Sequence, residues 1–379
     1  MMFRRPARAL ACLVLSATVA ATSLTACGVG SQNDSGTAGT AEETSFDSAL
    51  SAFTEGVGGD GEDGDGGDTD PREFTGTSTA ETVGDVTPAE GAEDAEPDLP
   101  VELTDADGED VTVDDVSRII PLDIYGTISR TLAGLGLRDN IVGRTVSSLE
   151  PSLEDLPVVT QGGHSINAEA VLNLDPSLVI VDGSIGPSEA ISQLRDSGVS
   201  VVKISPDHTI DTVGDDINTL ASIVGLPEVG KTLAKRSEDE IDQAVEAISD
   251  ATPEEPLRMA FLYARGDGGI FYILGPDDGT SDLIESLGGV DAAKEEGIGK
   301  ASPANAEALA DLDPEVIVMM SEGLESTGGV DGLLAKPGIS QTTAGEKSRI
   351  LSIPDSQSLS FGPQSGEMLL TAAAALYQG

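Results

Sequence analysis

The chain has 379 residues, with 67 Asp and Glu against 20 Lys and Arg, a formal charge of −47. That sign disfavours direct contact with nucleic-acid phosphates and with anionic headgroups. Two Cys and two His, with no Trp, leave no cysteine-built metal centre and little for a catalytic triad.

The N-terminus reads in three parts. Arg4, Arg5 and Arg8 precede an apolar run from Ala9 to Ala21, and Leu24-Thr25-Ala26-Cys27 follows. The run is too short for a permanent span and has the flanks of a signal peptide, residues 1–26. Small residues directly before Cys27 resemble the lipobox of bacterial lipoproteins, where the thiol is lipidated and becomes the first residue. Cys12 leaves with the signal, so Cys27 is expected to be the only mature thiol and the lipid anchor. No second long apolar run is present.

Residues 27–99 are of another kind. From Gly28 to Pro100 there are 19 acidic residues and one basic residue, Arg72, with few large apolar side chains. Such a stretch buries too little apolar surface to offset its chain entropy, so a disordered acidic linker is expected. Its Asp/Gly alternation lacks the spacing of a calcium loop.

Order is expected from about residue 100. Val101 to Thr104 and Val111 to Val113 alternate around Asp107-Gly108, a hairpin signal. Short apolar strands then alternate with amphipathic helices. Arg118 to Leu122, Ile141 to Gly143, Leu178 to Val181 and Val201 to Ile204 read as strands. Tyr125 to Leu135 and Ile185 to Ser197 read as helices. This argues for a parallel sheet covered on both faces, a first lobe over residues 100–225. Pro227 opens a long helix over 226–250, with Val229, Leu233, Ile241, Val245 and Ile248 at helical spacing. The α/β pattern resumes at Met259 in a second lobe, residues 251–379.

An internal repeat spans that helix. Asn167-Ala168-Glu169-Ala170, Leu174-Asp175-Pro176 and Val179-Ile180-Val181 match Asn305-Ala306-Glu307-Ala308, Leu312-Asp313-Pro314 and Ile317-Val318-Met319 at a constant offset of 138 residues. The simplest architecture is two similar α/β lobes joined by one long helix, with a ligand cleft between them at the strand ends.

The Asp-Gly hairpin, Arg118-Ile119-Ile120, the repeated Asn-x-Glu element and the linking helix together resemble the substrate-binding proteins for iron-siderophores, cobalamin and haem. The resemblance covers about residues 100–379. It implies a rigid linking helix, little lobe movement and a binding protein rather than an enzyme. It also implies delivery of the ligand to the permease and ATPase of an ABC importer. Glu169 and Glu307, one in the first turn of each repeated helix, would dock on permease arginines. The plainer account of both acids is a favourable helix dipole, worth about 0.3–1 kcal/mol each.

The ligand is argued from side chains. His164 stands in Gln161-Gly162-Gly163-His164-Ser165, at the mouth of the first lobe. Tyr263 ends the first strand of the second lobe, in Phe261-Leu262-Tyr263-Ala264-Arg265. Imidazole and phenolate suit the two axial positions of ferric haem. A tyrosine titrates near 10, so its anion needs support. Arg265 points the same way as Tyr263 in a strand and would hydrogen-bond the phenolate. The spacing of the three resembles that of haem-binding lipoproteins of ABC importers. It implies His164 and Tyr263 as iron ligands and Arg265 as support. The plainer readings are a solvated loop histidine and a strand-end aromatic. Tyr272 is a reserve ligand but reads as strand interior, hence packing. Tyr125 is placed to line the cleft, His208 ranks below His164 as a cleft residue, and Arg144 is a candidate propionate partner. Haem b as transported ligand and a monomeric protein are expected. A ferric-siderophore or cobalamin binder is the alternative, although a siderophore site usually carries several Arg or Trp.

Overall fold

The computed structural model describes residues 45–58, 70–162, 164–205, 208–266 and 268–378. The signal peptide and Cys27 lie outside the described residues.

In the first lobe the strands Ile119–Leu122, Leu178–Val181 and Ser200–Lys203 form a parallel sheet, with Ile119 opposite Leu178 and Leu178 opposite Ser200. The first two are buried along their whole length, as a sheet covered on both faces requires. Ile141 joins only by an isolated bridge to Ile119, so the strand expected at Ile141 to Gly143 is not formed. The expected hairpin is present, Val101–Thr104 against Asp110–Val113. The helices are shorter than their apolar periodicity suggests, at Thr127–Gly134 and Ser188–Asp196. Gly126 and Pro187 cap them and stop them extending backward.

The second lobe has a larger sheet. Its strands Ile350–Ile353, Val316–Met320 and Arg258–Arg265 are parallel. Ile270–Ile273 and Ser302–Pro303 continue it antiparallel. The linking helix spans Pro227–Ala251. It buries Val229, Leu233, Ile241, Ala244 and Ile248 against the helices Val213–Ile223 and Ser365–Tyr377. Val245 falls off that stripe and is 37% exposed.

The repeat is visible as structure. Asn167 and Asn305 cap the two repeated helices with their side chains. The Leu-Asp-Pro turns place both Asp175 and Asp313 at positive φ. Arg118 donates to the carbonyls of Leu174 and Asp175, and Arg258 donates to that of Leu312. Each lobe thus anchors its repeated helix to the start of its first strand.

The structure corrects the expectation of a disordered linker wherever 27–99 is described. Residues Phe46–Gly58 form a helix with Phe53 1% exposed, packed on the linking and C-terminal helices. Thr77–Thr79 is an edge strand of the second lobe, parallel to Ile350–Ile353. The chain then runs as a strap to the first lobe. Ala80 N–H donates to Ser352 O, Ala89 N–H to Gly134 O and Asp98 N–H to Gly225 O. Arg236 of the linking helix donates to Thr87 O. Buried residues recur every third position, at Ala80, Val83, Val86, Ala89 and Ala92. Average composition hides that stripe, and its period is neither that of a helix nor that of a strand. Gly225 closes the strap: its φ is +74, and a Cβ there would lie 2.8 Å from Asp98 O.

The lobes also meet directly. Arg130 of the first lobe, 2% exposed, donates to Gln364 Oε1 at 2.7 Å and Ser356 O at 3.2 Å in the second.

Candidate functional site

A cleft of about 790 Å³ lies between the lobes. The first lobe contributes Ile124, Tyr125, Val146, Leu149 and His164. The second contributes Tyr263, Arg265, Ile270, Tyr272 and Met320. The size is within the usual range for a buried organic ligand, about 300–1,000 Å³.

His164 sits at the tip of a small hairpin, Thr160–Gln161 against Ser165–Ile166. Gly162 supplies the left-handed turn, with φ +56. The imidazole is half-buried, and its Nδ1 has no hydrogen-bond partner. Burial, and then the Arg265 guanidinium, hold its pKa below the ordinary histidine value. The ring is therefore neutral at physiological pH and keeps a lone pair for a metal.

Tyr263 is carried by the strand Arg258–Arg265, which rises past the sheet as a hairpin with Ile270–Ile273. His164 and Tyr263 therefore line one cavity from different lobes, as expected. Arg265 does share the cleft face with Tyr263, but its contact differs from the expectation. The guanidinium lies over the Tyr263 ring, 4.9 Å from its centroid. It is ion-paired to Asp355 and also donates to Ala264 O. The Asp355 carboxylate in turn accepts from Glu322 N–H at 2.9 Å.

Tyr272 is not core packing. It pairs directly across from Tyr263, is 36% exposed and lines the cleft. Burial, with Asp278, Asp182 and Tyr263 nearby, pushes Tyr125 up to about 12. Tyr125 is thus a neutral phenol in the same cavity.

Two sequence candidates lie away from the cavity. His208 turns inward: Nδ1 is 2.9 Å from Asp216 Oδ2, and Nε2 is 3.8 Å from Asp182 Oδ2. Arg144 donates to the carbonyls of Thr145, Ser148 and Glu154. It staples the loop that presents Val146 and Leu149 and has no place in the cleft lining. That loop and Asp355 carry no motif, so sequence reasoning missed them. Glu169 and Glu307 are both exposed, each in the first turn of its helix.

Residues 124–357 match the periplasmic binding protein family. Among solved structures, the heme binding protein HmuT is 62% identical, covering 82% of this chain and 99% of its own, with a TM-score of 0.79. Further HmuT structures carry alanine in place of a histidine, a tyrosine or an arginine. Those three positions are spaced along HmuT as His164, Tyr263 and Arg265 are spaced here. The periplasmic heme-binding protein RhuT from Roseiflexus sp. RS-1 is 32% identical, covering 69% of this chain and 98% of its own, with a TM-score of 0.64. The uncharacterized ABC transporter substrate-binding lipoprotein YvrC of Bacillus subtilis is 26% identical over 222 residues, 58% of this chain and 69% of that protein.

Proposed function

The chain belongs to the periplasmic binding protein family, and from that premise we propose that it is the extracytoplasmic haem-binding component of an ABC importer. It holds ferric haem in the inter-lobe cleft and hands it to a permease driven by an ATPase subunit. One observation carries the reading: a neutral imidazole and a phenol, His164 and Tyr263, line a single cavity from opposite lobes. Haem iron offers one axial position on each face, and these two groups fill them. The similarity to HmuT, and the matching spacing of its altered histidine, tyrosine and arginine, support the same assignment.

Each residue then has a role. The unpartnered His164 is available as a nitrogen ligand. Tyr263 supplies a hard anionic oxygen, which favours Fe(III) over Fe(II). Arg265, held by Asp355, lies on the Tyr263 ring and stabilises the phenolate by its charge. Lipid on Cys27 anchors the protein outside the cytoplasm, and Glu169 and Glu307 dock on the permease. Among the described residues, no helix is long and apolar enough to cross a membrane.

The test is a haemin titration of the protein lacking its signal. A shifted Soret band with a phenolate-to-iron charge-transfer band is expected. Tyr263→Phe should abolish that charge-transfer band, and Tyr272→Phe should leave it. A spectrum that stays that of free haemin overturns the haem reading.

A further inference from the structure

Haem carries two ionised propionates on one edge, and the strongest grip on them comes from cations. The described cleft lining offers one, Arg265, already ion-paired to Asp355 and stacked on Tyr263. Against it stand three carboxylates, Asp278, Glu322 and Asp355. Nearby cations are committed elsewhere. Arg144 is bound to backbone carbonyls, and Lys336 donates to Gly268 O and lies over the Phe271 ring. Lys300, beside the cleft residue Ala301, is exposed. An exposed Lys–carboxylate pair is worth about 0–1 kcal/mol.

The cleft is instead rich in apolar surface, and part of it is open. Val146 and Leu149 on one lobe and Ile270 on the other are 37%, 47% and 47% exposed. Unpaired apolar side chains facing a cavity fit the flat faces of a macrocycle.

Building on the haem reading, we propose that the cleft recognises a metalloporphyrin by its metal and its apolar faces, without a cationic anchor. The propionate edge points out to solvent. A carboxylate turned inward would meet the charge of Asp278, Glu322 or Asp355 and lose hydration without gaining an unpaired cation. The site is therefore blind to the charge of one edge and selective against acids on the others.

The experiment compares three ferric porphyrins in one buffer, by Soret titration: haemin, its dimethyl ester, and coproporphyrin III with four propionates. The ester should bind within about fivefold of haemin, since solvent-facing carboxylates contribute little. Iron coproporphyrin III should bind at least about tenfold more weakly, because not all four acids can face out. Asp278→Asn should narrow that gap, and Lys300→Ala should leave haemin affinity unchanged. If the ester or Lys300→Ala binding falls more than about tenfold, a cationic anchor exists and the proposal is wrong. Equal binding of iron coproporphyrin III removes the acid exclusion. If haemin itself does not bind, the haem reading falls and this inference with it; if haemin binds and the ester does not, only this inference falls.

Discussion

At the residue scale, the cleft depends on buried charge behind it. Asp123, Asp182 and His208 stand at or just beyond the ends of the three first-lobe strands. Asp182 accepts from Ser184, whose hydroxyl accepts from Ile124 N–H in the cleft wall. Burial, and then the charge of Asp182, push Asp123 up to about 7. Burial also raises Asp182. For His208, burial opposes the cation. The hydrogen bond and charge of Asp216, with Asp182 and Asp123, outweigh it and raise the pKa. All three groups bind protons more readily folded than unfolded. Their contribution to stability is present at low pH and is lost as pH rises, and for Asp123 the loss is complete above about 7. Asp123→Asn should flatten the fall of unfolding free energy between about pH 4 and pH 7, by up to about 1.4 kcal/mol per pH unit, as read by denaturant unfolding across that range. An unchanged slope would show that Asp123 is not the group titrating. Sequence alone located His164 and Tyr263, because loops and strand ends beside glycines are where side chains reach a cleft. It misplaced Tyr272, because solvent exposure along a strand depends on how far the strand overshoots its sheet, and it kept His208 within reach of the cleft, because the pull of Asp216 and Asp182 on a loop imidazole is set by the fold. The contact of Arg265 was also illegible, since its partner Asp355 is 90 residues away.

At the element scale, the strap shows why composition misleads. Phe46, Leu50, Phe53 and Val57 already have helical spacing, but they sit in a segment dominated by Asp, Glu and Gly. Three of the five residues in the stripe from Ala80 to Ala92 are alanines, which transfer scales weight little. Neighbouring substitutions separate a docked strap from a free linker. Val83→Asp, at a residue 2% exposed, should lower Tm by several degrees, because it forces a carboxylate into an apolar site. Thr82→Asp, at an exposed position, should be neutral. Thermal denaturation of both variants checks this, and equal melting temperatures would mean the strap is undocked. Among the elements that sequence did reveal, the hairpin and the linking helix have a strong periodicity of two and 3.6, and the buried parallel strands are short continuous apolar runs.

At the scale of the whole molecule, two pseudo-equivalent lobes present equivalent features outward. Glu169 and Glu307 lie one on each lobe, exposed and uninvolved in the cleft. Reversing both charges to Lys should cut haem uptake by cells at least about tenfold while leaving the haemin titration unchanged. Loss of binding instead would place them in the fold. The duplication was legible because Asn-x-Glu and Leu-Asp-Pro recur at a fixed offset. The tie between lobes was not. Arg130 is an ordinary helix residue in sequence, and its partners lie more than 220 residues away.

The docked N-terminal helix also sets a length. With a lipid on Cys27, only the residues before Phe46 separate the membrane from the folded body. Whatever their conformation, eighteen or so residues span at most about 60–65 Å. A free chain to residue 100 would have allowed roughly 250 Å on the same basis. The radius within which the protein can sweep its surroundings shrinks about fourfold, and the volume it shares with a permease by well over an order of magnitude. The local concentration of loaded carrier at its transporter rises accordingly. With that anchor, docking of the helix would leave the protein a short leash, trading range of capture for speed of delivery.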